Sequence, residues 1–125
     1  MSVERKKLVK ECDDLWRQIV RLKAWDRSEL SKDNVSVLHC HHVKGKSSYA
    51  LRYDTRGGIC ITAGEHFKAH ATDNYDMVTL LREHLKKREG KNILDILELQ
   101  RNRTGVKLDI VKKQLEQELN KLKEE

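Results

Sequence analysis

Apolar positions recur every three or four residues from about Val3 to Trp25: Leu8, Cys12, Leu15, Trp16, Ile19 and Leu22 make one stripe, with Lys and Arg opposite. That period predicts an amphipathic helix with one face on a core. Trp16 and Trp25 read as core or helix-packing anchors rather than base-stacking platforms. From Asp26 to Asn34 the stripe breaks into Ser, Asp, Asn and Lys, the composition of a loop. Val35 to His42 then reads as a strand, its β-branched residues leading into histidines. Lys44-Gly-Lys-Ser-Ser48 is a basic turn without the spacing of a phosphate-binding loop. Tyr49 to Tyr53 reads as a short extended piece, Gly57-Gly58 as a tight turn, and Ile59-Cys-Ile61 as a returning strand. Thr62 and Glu65 stand as S/T-x-x-E, a capping box that starts a helix over about Ala63 to Ala71.

Helical spacing then resumes. Met77, Leu80, Leu81 and Leu85 mark one helix, which Gly90 ends. Asn92 is placed to cap a second, with Ile93, Leu94, Ile96, Leu97 and Leu99. Beyond Gly105, Leu108, Val111, Leu115, Leu119 and Leu122 make a narrow stripe on a charged helix. It reads as a packing helix, with a dimer through it as the alternative, since two to three heptads are marginal alone. The pattern describes a small, mainly helical α+β domain in three parts: 1–34, a helix and loop; 35–73, a β–turn–β–α unit; and 74–125, C-terminal helices.

A chain of 125 residues with 37% charged and 5% aromatic residues can bury one modest, mostly aliphatic core. It has no proline to interrupt a helix. Its 26 Lys+Arg against 20 Asp+Glu give a formal charge of +6, a surplus that attracts polyanions. Charge alone leaves a nucleic-acid partner and a plain basic domain equally open. The three cysteines form no CxxC pair, which argues against a disulfide framework and a zinc knuckle. Cys40 and Cys60 are expected to be buried in paired strands as small hydrophobes. No apolar run approaches the ~20 residues that span a bilayer, and no signal-peptide pattern opens the chain. The expected setting is intracellular and reducing, without a membrane partner.

Five of the six histidines fall between positions 39 and 70. Neutral imidazole is the commonest metal ligand and a natural proton acceptor near pH 7. His66 and His70 are four apart on the capped helix and so share one face, where they can chelate one divalent ion. His41 and His42 end the preceding strand and point to opposite faces. One of them can join the helix pair, and the other is free to meet a substrate. Three imidazoles with water leave an open coordination position, as catalysis needs. His39 reads as a satisfied strand residue and His84 as solvent-exposed.

Cys40-His-His-Val-Lys-Gly-Lys46, Leu51-Arg-Tyr-Asp54, Gly58-Ile-Cys60 and Glu65-His-Phe-Lys-Ala-His70 together resemble the HNH, or ββα-metal, endonuclease superfamily. The resemblance covers about Val35 to Thr72. Cys12-Asp-Asp-Leu-Trp-Arg-Gln-Ile19 and the helical tail are less specifically similar to phage-type members, some of which act in recombination. The resemblance implies a ββα-metal motif within the helical domain and a phage or bacterial-host setting. It implies hydrolysis of DNA phosphodiester bonds with one divalent ion, Mg2+ or Mn2+ first and Zn2+ or Ni2+ as alternatives. His41, His66 and His70 would be metal ligands, His70 being the one that could touch phosphate instead, and His42 the general base. Products would be a 5′ phosphate and a 3′ hydroxyl.

The family's central Asn would fall at Gly57, which has no side chain to orient the base; Asp54 or a backbone carbonyl could stand in. The zinc-binding CxxC pairs of many phage-type members are missing, so no structural zinc is expected and helical packing takes its place. Lys44, Lys46, Arg52, Arg56 and Lys68 surround the site in sequence and are expected to contact phosphates. Two alternatives stand beside the nuclease: a catalytically weak DNA-binding or recombination-accessory protein, which Gly57 favours, and a structural metal or interaction module using Cys40, Cys60 and histidines.

Overall fold

The structure is a computed structural model and describes residues 2–71 and 75–125. Its elements are α1 (Val3–Lys23), β1 (Leu38–His42), the one-turn helix α2 (Tyr49–Arg52), a 3-10 turn (Thr55–Gly57), β2 (Gly58–Thr62), α3 (Ala63–Ala69), α4 (Tyr75–Glu89), α5 (Ile93–Arg101) and α6 (Leu108–Lys123). The fold is α+β and mostly helical, around a two-stranded antiparallel sheet. Among the described residues no helix is long and apolar enough to cross a membrane.

The strands pair with Cys40 opposite Cys60, His41 opposite Ile59 and His42 opposite Gly58. Because successive residues face opposite sides of a strand, Leu38, Cys40 and His42 share one face with Gly58 and Cys60, and His39 and His41 share the other with Ile59 and Ile61. The first face lies under α1, where Cys60 packs with Trp16 and Val20; the stripe of α6 (Leu108, Val111, Leu115, Leu119) closes the same core. The second face packs Ile59 and Ile61 on Leu81 of α4, with Ala69 of α3 alongside. A third cluster of Leu51, Leu85, Ile93 and Leu97 fastens α2 to α4 and α5. Gly58 sets how closely α1 approaches. A Cβ there would lie 2.6 Å from both Trp16 Cζ2 and Val20 Cγ2.

The outer edge of β2 is covered by Glu29. Its N–H donates to the Cys60 carbonyl (2.8 Å), and its Oε2 accepts the Cys60 N–H (2.7 Å). The same buried carboxylate accepts from Arg88 at 2.6 Å and meets His84 Nε2 at 3.1 Å. Arg88 also donates to the carbonyls of Arg56 and Gly58. One ion-paired carboxylate thus joins the 24–37 segment, the sheet edge and α4, which blunts an edge that would otherwise stay unpaired.

Several expectations are corrected. The strand starts at Leu38, not Val35: Asp33 draws the N–H groups of Val35 and Ser36 into a turn, leaving Val35 exposed. Tyr49 to Tyr53 is helical rather than extended, because the Ser48 hydroxyl caps the Leu51 N–H. Trp25 is no core anchor; it stands 81% exposed just past the end of α1 with φ +60°. Asn92 occupies the N-cap of α5 but makes no side-chain capping bond. His84 is held by Glu29 rather than left to solvent. Thr72 and the expected unit boundary after residue 73 lie outside the described residues.

Replacing Glu29 by Ala leaves the Arg88 guanidinium and the Cys60 N–H without their acceptor in a poorly hydrated place. The expected cost is about 3 kcal/mol in urea unfolding, the range for removing one partner of a buried pair. A loss under about 1 kcal/mol, as for an exposed ion pair, would contradict this reading of the sheet edge.

Candidate metal centre

Thr62 is both the last residue of β2 and the N-cap of α3, so no loop separates them. Its hydroxyl accepts the Glu65 N–H at 3.1 Å, and Glu65 Oε1 accepts the Thr62 N–H at 2.8 Å, completing the capping box. The buried Ser28 hydroxyl donates to the same Glu65 oxygen at 2.7 Å. The direction of α3 is therefore fixed relative to the sheet, and the helix carries His66 and His70 to His41.

The three imidazoles converge. One ligand nitrogen from each lies within 4.8 Å of the others. Ring centroids are 4.9 Å apart for His41 and His66, 5.1 Å for His41 and His70, and 4.8 Å for His66 and His70. The Nε2 atoms of His66 and His70 are 3.0 Å apart, as suits two nitrogens bound about 2.1 Å from one ion. His41 is half-buried; burial, with the neighbouring His66 and His70, pushes its pKa down to about 4. Burial, then His70 and His39, also lowers that of His66. Both are neutral at pH 7, the form a metal needs. His70 is exposed, so the cluster has an open side.

His39 and His41 are two residues apart on β1 and share a face. His39 Nδ1 lies 2.9 Å from His66 Nδ1, with the rings perpendicular and 5.2 Å between centroids. His39, expected as a satisfied strand residue, finds its partner within the cluster.

His42 faces the other way. Its ring lies flat on Trp16, with centroids 3.9 Å apart and planes within 1°. Its Nε2 is 3.1 Å from the Arg52 carbonyl oxygen. A carbonyl only accepts, so Nε2 carries the proton and Nδ1 keeps the lone pair. Burial, partly offset by that carbonyl, pushes the His42 pKa down to about 4. Because His42 ends the strand, it still borders the same cleft as His41 and His70, a space of about 280 Å³ also lined by Gly45, Val78 and Arg82.

Gly57 sits in the 3-10 turn. Its carbonyl accepts the Val43 N–H at 2.9 Å, and a Cβ there would press on Leu97 Cδ2 at 3.3 Å. A side chain at Gly57 would thus meet α5. The Asp54 carboxylate is taken by Arg56 and Gln100, so the backbone carbonyl of Arg52 is what meets His42. Arg52 grips Asp13 with two bonds of 2.9 and 2.7 Å, and Arg56 grips Asp54 likewise at 2.9 and 2.6 Å. Lys44 pairs with Glu98 at 3.2 Å. Of the five expected phosphate contacts, these three are engaged within the fold, and Lys46 and Lys68 are exposed. Cys60 is fully buried against α1, and Cys40 Sγ donates to the Arg17 carbonyl; neither joins the histidine group.

The chain matches no family model, no characterised protein and no solved structure. Sequence reasoning missed Trp16 as the partner of His42 and Arg82 as a wall of the cleft. Neither carries a local signal, since each reaches the site from a distant helix. The two-residue spacing of His39 from His41, which puts both on one strand face, is the signal that could have found its partnership.

His41 and His42 make stability pH-dependent. Both pKa values fall from an ordinary 6.5 to about 4 on folding. Between those values the unfolded chain binds protons that the folded chain refuses, so their contribution is complete above pH 6.5 and is lost as pH falls toward 4. The urea midpoint of the metal-free protein should therefore drop between pH 6.5 and 4.5, less steeply in His41→Asn. A flat midpoint across that window would contradict the burial of these rings.

Proposed function

We propose that this chain is a metal-dependent endonuclease of the HNH, or ββα-metal, class that hydrolyses DNA phosphodiester bonds. The observation carrying the reading is the convergence of His41, His66 and His70, with a fourth, neutral imidazole on the same cleft. The donor set fits a divalent ion: three imidazoles, one of them exposed. All-nitrogen ligation favours Zn2+ or Ni2+ over oxygen-seeking Mg2+, with Mn2+ between. A bound ion would supply positive charge for the phosphate oxygens and the departing 3′ oxygen.

The chain's own groups supply the rest. His42 offers Nδ1 to a water molecule and takes its proton as the water attacks phosphorus. The P–O3′ bond breaks, the departing 3′ oxygen takes a proton from solvent, and His42 later returns its own to solvent, leaving a 5′ phosphate and a 3′ hydroxyl. Trp16 holds the His42 ring flat, and the Arg52 carbonyl fixes its tautomer. This does the orienting work that Gly57 cannot. Arg82 lines the cleft and is placed to meet the phosphate, with Lys46 and Lys68 exposed to flanking ones. Arg52 and Arg56 brace the scaffold through Asp13 and Asp54. The structural metal module is less well supported, because Cys40 and Cys60 occupy the sheet face away from His41.

The test is cleavage of supercoiled plasmid with Mg2+, Mn2+, Ni2+ or Zn2+. Ion-dependent nicking that chelator stops is expected, falling at least about 100-fold in His42→Ala. His42→Phe keeps a ring on Trp16 while removing the base, and should be equally inactive while still folded, at the cost of the bond to the Arg52 carbonyl. No cleavage with any ion would contradict the reading and favour a DNA-binding accessory protein on the same scaffold.

A further inference from the structure

We propose that His39 is a positioning residue for the metal centre: its Nδ1 holds the His66 ring in the tautomer that turns a lone pair on Nε2 toward His41 and His70. The inference rests on the metal-binding reading of the cluster. The two Nδ1 atoms are 2.9 Å apart, so one proton lies between them and only one of the rings can own it. If His66 owns it, its Nε2 is unprotonated and free to ligate. If His39 owns it, the neutral His66 carries its proton on Nε2, aimed at His70 Nε2 only 3.0 Å away, and cannot bind an ion. The site can hold an ion in the first state alone, and that is the state in which His39 accepts.

Two features of the fold favour that arrangement. His39 sits on the same strand and face as His41, so one short strand supplies a ligand and the support for a second ligand that arrives from α3. The perpendicular rings, 5.2 Å apart, aim the lone pair of one at the edge of the other rather than stacking them. His39 and His66 together border a groove of about 550 Å³, lined also by Asp14, Gln18 and Arg21 of α1. His39 is exposed, so solvent can satisfy its other nitrogen. Support of a ligand imidazole through its second nitrogen sets the ring's orientation and raises its basicity, and its loss weakens metal binding 10- to 100-fold in general.

The experiment is competition of the purified full chain against a chromophoric chelator for Zn2+ and Ni2+ at pH 7.5. His39→Ala should weaken affinity at least about tenfold. His39→Asn, whose amide oxygen can accept from nearly the same position, should recover most of the loss. Long-range proton–nitrogen NMR of the metal-free wild type should show His66 protonated on Nδ1, a state His39→Ala gives up. His66→Ala is the control for losing a ligand. Affinity unchanged within about twofold in His39→Ala, or a His66 tautomer indifferent to that change, overturns the proposal and leaves the three-histidine site intact. A wild type with no measurable affinity for either ion overturns the site and this inference together.

Discussion

The junction at Thr62 is the constraint on which the histidine geometry depends. A strand ends and a helix begins on one residue, and the reciprocal bonds of Thr62 and Glu65 leave the helix a single exit direction. Ser28, buried within the segment that follows α1, adds a third bond to the same carboxylate. With no intervening loop to flex, the relation between β1 and α3 is set by the strand register and by the cap. His41 is positioned by the first; His66 and His70 follow from the second. Rigid placement of this kind is what lets a site hold a ligand set that would be costly to assemble from mobile segments.

The sheet divides the chemistry between its faces. On one, His41 and His39 meet the helix histidines; on the other, His42 lies against Trp16, where the missing side chain of Gly58 makes room. Neighbouring histidines thus take different environments although both are neutral and half-buried. One shares its surroundings with other imidazoles, and the other is stacked on an indole and tied to a carbonyl. Only because both stand at the strand's end do they border a common cleft. The Glu29 ion-pair network at the far strand keeps this two-stranded sheet from being a marginal hairpin, by bonding its outer edge to α4 and to the preceding loop.

Much of this was legible in the sequence, for physical reasons that differ by element. The stripes on α1 and α6 follow from burial against each other, and the capping box reads directly from Thr62 and Glu65 because its bonds are local. The four-residue helical repeat paired His66 with His70, and strand alternation let one of His41 and His42 join them; the family resemblance picked out His41. What sequence could not supply were contacts across long separations. Trp16 reaches His42 from α1, Arg82 comes from α4, and the charges of Arg52 and Arg56 are claimed by Asp13 and Asp54. The helical turn at Tyr49 depended on one hydroxyl, Ser48, overriding a weak extended preference. Trp25 was misread because hydrophobic character at a helix end does not reveal the left-handed backbone that turns the chain there.

The central claim is that three imidazoles of this chain bind one ion, and X-ray absorption at the metal edge tests it most directly. For protein loaded with one equivalent of Zn2+ or Ni2+, the account predicts three imidazole nitrogens, with any remaining ligands oxygen, at about 2.0–2.1 Å for zinc. A sulfur scatterer near 2.3 Å, or fewer than three imidazoles around the ion, would contradict it.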